Sequence, residues 1–145
     1  MLSEFELIRK YFDRPARSAA LGVGDDAALL RPSAGMELAV STDLLLEGRH
    51  FRAGADARKL GHKALAVNLS DMAAMGAAPR WALIALALPA ADEAWLGAFS
   101  SGLFALAAVY VVFNEGFENW QAMWTGAIYV LLGSALWRAR NSAVA

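Results

Sequence analysis

Charge stops almost completely two thirds of the way along this chain, and that break constrains its fold more than any other feature. Charged side chains are scattered evenly from residue 1 to Glu93. Residues 95–113 then contain none, the short stretch 114–119 holds Glu115 and Glu118, and residues 120–137 again contain none before Arg138 and Arg140. Hydrophobic residues reach 58%, above the roughly 45–50% of an ordinary soluble domain, and the excess lies in that second region. The chain therefore divides near residue 107 into an ordinary globular part, residues 1–107, and an apolar tail, residues 108–145.

The 145 residues suit about one domain. Thirteen basic residues against fourteen acidic ones give a net charge of −1, without the basic patch of a nucleic-acid binder, so no nucleic-acid partner is expected. There are no cysteines, which excludes disulfides, thiolate nucleophiles and cysteine zinc sites. The first residues carry Glu4 and Glu6 and no long apolar core, so no signal peptide is expected.

Residues 3–12 read as an amphipathic helix. Ser3 stands at N-cap spacing from Glu6, and Phe5, Leu7, Ile8 and Phe12 supply an apolar face. Residues 22–26 form a glycine-rich turn. Residues 36–42 are a strand candidate, with Leu38 and Val40 alternating. A long helix is predicted over 56–75, ended by Gly76 and Pro79. An apolar run over 81–88 has strand length, and another helix is predicted from 92 to about 108. Helices and strands mix without a clear βαβ rhythm, so the expected class is α+β, a mixed sheet with flanking helices.

In the tail, residues 120–137 have about the minimum length of a membrane-spanning helix, which needs roughly 17–25 apolar residues. Trp120, Trp124 and Trp137 lie near its ends, and Arg138 and Arg140 would mark a cytoplasmic side. With residues 95–113 as its partner, an apolar helical hairpin is expected. It would leave the protein in the cytoplasm or hold it against the inner membrane through the tail. A buried soluble hairpin is the alternative.

Three acidic positions stand out: Asp25–Asp26 in the glycine-rich turn, Asp43 after the strand candidate, and Asp71 near the end of the long helix. Magnesium sites for phosphate chemistry use one or two carboxylates and leave the other positions to water and phosphate. Ser41 and Thr42 could add oxygens. On spacing alone, each Asp reads equally as a turn or cap residue. Gly22-Val23-Gly24 lacks the Gly-Lys-Ser/Thr of a P-loop. His50 sits in a loop, where it could contact a substrate or simply face solvent, and His62 reads as a helix-surface or packing residue. No nucleophile–base pair is apparent.

Taken together, several blocks resemble thiamine-monophosphate kinase. They are Glu4-Phe5-Glu6-Leu7-Ile8, Gly22-Val23-Gly24-Asp25-Asp26-Ala27-Ala28-Leu29-Leu30, Leu38-Ala39-Val40-Ser41-Thr42-Asp43, Glu47-Gly48-Arg49-His50-Phe51, and the run from Lys63 to Ala77 containing Asn68-Leu69-Ser70-Asp71-Met72. Asp92-Glu93-Ala94-Trp95-Leu96 completes the series. Their order and spacing match over about residues 3–107, and the combination is far more specific than any single block. The resemblance implies transfer of the ATP γ-phosphoryl group to thiamine monophosphate. It implies magnesium ligands at Asp26, Asp43 and Asp71 with Ser41 and Thr42 in the same cluster, a substrate contact at His50, and a homodimer through the N-terminal domain. The family continues with a strand, a Gly-Gly-Asp-Thr-Thr segment and a second α/β domain, none of which matches here. The expectation is therefore an impaired kinase or, alternatively, a catalytically inactive kinase-derived domain that dimerises or is tethered to a membrane.

Overall fold

A computed structural model describes residues 2–14, 19–115 and 127–130. Three helices carry the fold: α1 (Glu4–Tyr11), α2 (Ala57–Ala74) and α3 (Glu93–Glu115). Two short ladders accompany them. One is antiparallel, joining β1 (Ala19–Leu21) to β2 (Leu29–Leu30). The other is parallel, joining β3 (Trp81–Ile84) to β4 (Ala127–Val130). Helices with small separate ladders give the expected α+β class.

Each helix starts where its cap dictates. The Ser3 hydroxyl accepts from the Glu6 N–H at 3.4 Å, and the Glu6 carboxylate accepts from the Ser3 N–H at 2.7 Å. This reciprocal box satisfies two amide donors that the first turn leaves open. Asp56 accepts from the Lys59 N–H at 2.9 Å and opens α2. Asp92 accepts from the Ala94 and Trp95 N–H groups at 2.9 and 3.1 Å and opens α3. Gly76, at φ +65, takes the left-handed turn after α2 that a side chain would disfavour.

The core lies where α1 and α2 meet α3: Leu7, Phe12, Leu60, Leu96, Phe99 and Leu103 are buried together. Phe99 stacks on Trp95 at 4.9 Å between ring centroids and meets Phe12 edge-on at 6.5 Å. Two glycines let α2 and α3 touch backbone to backbone. A Cβ at Gly61 would overlap the Phe99 carbonyl, and one at Gly102 would overlap the Arg58 carbonyl. Lys10 and the Tyr11 hydroxyl both reach Glu93, at 2.6 and 2.9 Å, and tie α1 to the start of α3.

Two expectations fail. Residues 36–42 are extended but form no strand among the described residues. A strand exists only against a neighbour, and among the described residues no strand pairs with this segment, whose Leu38 and Val40 are exposed. Within the expected tail helix over 120–137 the four described residues differ: Ala127–Val130 is a strand, paired in register with Trp81–Ile84. Ile128, Tyr129 and Val130 are β-branched or aromatic residues that favour a pleated ladder. A parallel partner needs a crossover of a dozen or more residues, and α3 supplies it. The result is a β3–α3–β4 unit, a βαβ arrangement that the residue pattern did not reveal. The rest of the expected hairpin, residues 116–126 and 131–145, lies outside the described residues. Among the described residues, no helix is long and apolar enough to cross a membrane.

Candidate functional site

Three pieces of chain carry the candidate acids. The first is the loop between β1 and β2. There Gly24 adopts φ +118, and the Asp26 N–H donates to Asp25 Oδ1 at 2.8 Å. Asp25 thus closes the turn, while the Asp26 side chain is exposed. The second piece is the extended segment holding Ser41, Thr42 and Asp43. Ser41 is half-buried, and Thr42 and Asp43 are exposed. The third is the end of α2, where Asp71 sits in the last turn, a turn with no basic residue. Helix carbonyls at that end carry partial negative charge. A carboxylate there makes a local field suited to a cation and unfavourable to an unshielded anion.

Only part of the set is brought together. The Ser41 hydroxyl donates to Asp71 Oδ2 at 2.7 Å, linking the extended segment to α2 across thirty residues of sequence. Among the described residues, no three His, Cys, Asp or Glu side chains gather closely enough to hold an ion. Asp26, Asp43 and Asp71 therefore do not form one three-carboxylate cage among the described residues. The donor chemistry is nonetheless uniform. Every candidate ligand is a hard oxygen, and the acids face solvent. This fits magnesium, which retains several waters and shares phosphate oxygens instead of sitting in an all-protein cage.

His50 occupies a tightly wound loop. The Gly48 N–H donates to the Phe51 carbonyl at 2.8 Å, and the His50 N–H donates to the Leu46 carbonyl at 2.8 Å. The Leu46 N–H donates to His50 Nδ1 at 3.0 Å. An imidazole that accepts at Nδ1 carries its proton on Nε2, so the nitrogen left for a ligand is a donor. Gly48, at φ +78, makes the loop possible. Lys63, from α2, donates to the His50 carbonyl at 2.6 Å and pins the loop to the helix. Sequence reasoning assigned Lys63 no role, although it opens the block that contains Asp71. His62, its neighbour, is exposed on the surface of α2.

The model of the AIR synthase related protein N-terminal domain matches residues 24–115. A thiamine-monophosphate kinase of Salmonella typhimurium is 55% identical over 111 residues, which are 74% of this chain and 34% of that protein. The thiamine-monophosphate kinase of Escherichia coli K12 is 54% identical over 110 residues, covering 74% and 34%. That of Bacillus subtilis is 38% identical over 113 residues, covering 75% and 35%. The matched part spans about a third of the length of these curated relatives.

Proposed function

The chain belongs to the AIR synthase related family by its N-terminal domain, and we propose that it carries the magnesium and phosphate-handling part of a thiamine-monophosphate kinase. The reaction forms a bond from a phosphate oxygen of thiamine monophosphate to the γ-phosphorus of ATP and breaks the β–γ bridging bond. Thiamine diphosphate and ADP are the products. Such transfer asks a protein mainly for positioning and charge stabilisation. Magnesium, when bound, supplies charge neutralisation for the phosphate oxygens.

Asp71, with Ser41 holding one of its oxygens, is the anchored ligand in this proposal, and Asp26, Thr42 and Asp43 complete the set from the two loops. His50 presents its Nε2–H to the substrate from the loop that Lys63 fixes. The observation that carries the reading is the Ser41–Asp71 contact, because it joins two separate kinase-like blocks at the end of one helix. Turnover by these 145 residues alone is expected to be impaired, since the match spans about a third of the relatives' length. In this proposal residues 1–107 are the kinase-like part, and residues 108–145 are a tail that completes α3 and adds β4. The protein acts as a homodimer in the cytoplasm, where ATP is available. The exposed side chains of Leu38, Val40 and Leu44 on the unpaired extended segment support a self-association surface.

Calorimetric titration with Mg-ATP tests this reading, alongside Asp71→Asn and a coupled assay for ADP release. Magnesium-dependent nucleotide binding that weakens at least about tenfold in the variant is expected, by analogy with the loss seen when metal-site groups are changed. No binding at millimolar Mg-ATP overturns it. A second reading, a non-catalytic kinase-derived domain that dimerises or is tethered to a membrane, draws support from the absence of a three-acid cluster among the described residues. It predicts dimers by light scattering with no nucleotide binding. Recovery wholly in the soluble fraction without detergent removes its membrane form.

A further inference from the structure

We propose that the strand Ala127–Val130 guards the edge of β3 in cis, keeping that edge from accepting a strand of another chain. The argument starts with β3 itself. Ala82 and Ile84 pack against the buried cluster around Leu96, Phe99 and Leu103, so β3 is fixed by its side chains. Its backbone amides and carbonyls need a ladder partner as well. Among the described residues the only ladder it makes is with β4, from Trp81↔Ala127 to Ile84↔Val130.

The edge is one that would invite pairing if left open. Residues 81–88, Trp-Ala-Leu-Ile-Ala-Leu-Ala-Leu, contain no charge and no proline, and Leu83 is 55% exposed. Proteins blunt such edges with charges, prolines, bulges or a covering segment, and short apolar strands without charge are the usual hazard in edge-to-edge assembly. Within residues 81–88 there is neither charge nor proline, and among the described residues a covering segment meets one edge of β3. It comes from outside the family match, which ends at residue 115, and it arrives by way of α3. Tethering makes its local concentration on the order of millimolar, so it outcompetes a strand offered in trans at ordinary protein concentrations.

Hydrogen exchange on the full chain, beside Ile128→Pro combined with Tyr129→Pro, tests the guard. Of two successive strand residues one N–H faces the neighbour, so the double change removes a ladder bond in either register. In the unaltered chain those amides of 82–84 that face β4 should exchange at least about tenfold more slowly than those of the unpaired segment 38–42, and it is these amides that the test reads. In the variant that protection should vanish while the amides of 96–103 stay protected. Light scattering should then show concentration-dependent association beyond that of the unaltered chain. A labelled peptide of residues 125–132 should bind the variant and not the unaltered chain. Fast exchange at 82–84 in the unaltered chain overturns the proposal without reference to any variant. So does a variant that keeps α3 protected and neither associates further nor takes up the peptide. If the variant loses protection throughout, the unaltered chain decides: it must both protect 82–84 and exclude the peptide, and failure of either result overturns the guard.

Discussion

Replacing Gly102 by alanine should destabilise the fold, although alanine is the better helix former. The added Cβ would overlap the Arg58 carbonyl oxygen and lie 2.7 Å from its carbon and 3.0 Å from the Arg58 Cα. Non-bonded carbons rest at about 3.5–4.0 Å, so α3 must retreat from α2 by several tenths of an ångström or more. The retreat opens the contacts of Leu60 with Leu96, Phe99 and Leu103. Overpacking of this kind costs about 1–3 kcal/mol, and the helix preference of alanine returns about 1 kcal/mol. Because the clash is with backbone atoms, the upper end of that range applies, and a net loss of about 2 kcal/mol follows, or roughly 6 °C in Tm for a chain of this size. Gly97 is the control in the same helix. A Cβ there meets the Tyr11 ring at 3.4 Å, an ordinary contact, so Gly97→Ala should leave Tm unchanged or raise it. Thermal denaturation followed by circular dichroism reads both. If Gly102→Ala is as stable as the parent, or if both changes shift Tm by the same sign and amount, backbone contact between α2 and α3 is not what holds this core.

Ser3→Ala removes the hydroxyl half of the capping box, leaving the backbone N–H of residue 3 bonded to Glu6, and should cost about 1 kcal/mol, read as a lower midpoint in urea. Glu93 is held below the usual carboxylate range by the hydrogen bond from Lys10 and then by that from Tyr11. Its contribution is therefore present at neutral pH and lost as pH falls through the lowered value. Lys10 is raised chiefly by its hydrogen bond to Glu93, so its share is present below the ordinary lysine range and lost as pH rises through the raised value. Glu93→Gln should thus narrow the difference in Tm between pH 7 and the acid limb, and added salt should reduce the effect in the parent because the pair is exposed. Lys63→Met removes the bond to the His50 carbonyl and should speed amide exchange across residues 46–51 while leaving α2 helical. Unchanged exchange there would show that the loop holds itself.

The elements legible in the sequence are those whose cause is local. Ser3 and Glu6 announce α1 because the capping box needs only four consecutive residues. Asp56 and Gly76 bracket α2 for the same reason. Residues 36–42 have the alternation of a strand, but a strand is completed by a neighbour elsewhere in the chain, and alternation carries no information about whether one is present. Residues 127–130 differ in the opposite direction. An uninterrupted apolar run has no period to separate helix from strand, and pairing with β3, over forty residues earlier, settles Ala127–Val130. Within the candidate site the acids stood out by residue type and block order. What the sequence could not convey is which of them meet, since that depends on how the loop at 22–28 and the segment at 36–46 lie against the end of α2.

That division has a consequence for how the site would operate. Asp71 and Lys63 stand on a helix locked to α3 by two glycines, whereas Asp26 stands on the loop closed by the short β1–β2 ladder and Asp43 on a segment with no ladder among the described residues. Groups carried on packed helices hold position better than groups on loops. The Ser41–Asp71 bond is then a tether that brings Ser41, and with it Thr42 and Asp43, to the fixed helix. Cutting it with Ser41→Ala leaves Asp71 in place but frees Thr42 and Asp43 to wander. Cation binding that depends on all three should therefore weaken about as much in Ser41→Ala as in Asp43→Asn. A site resting on Asp71 alone would be indifferent to both.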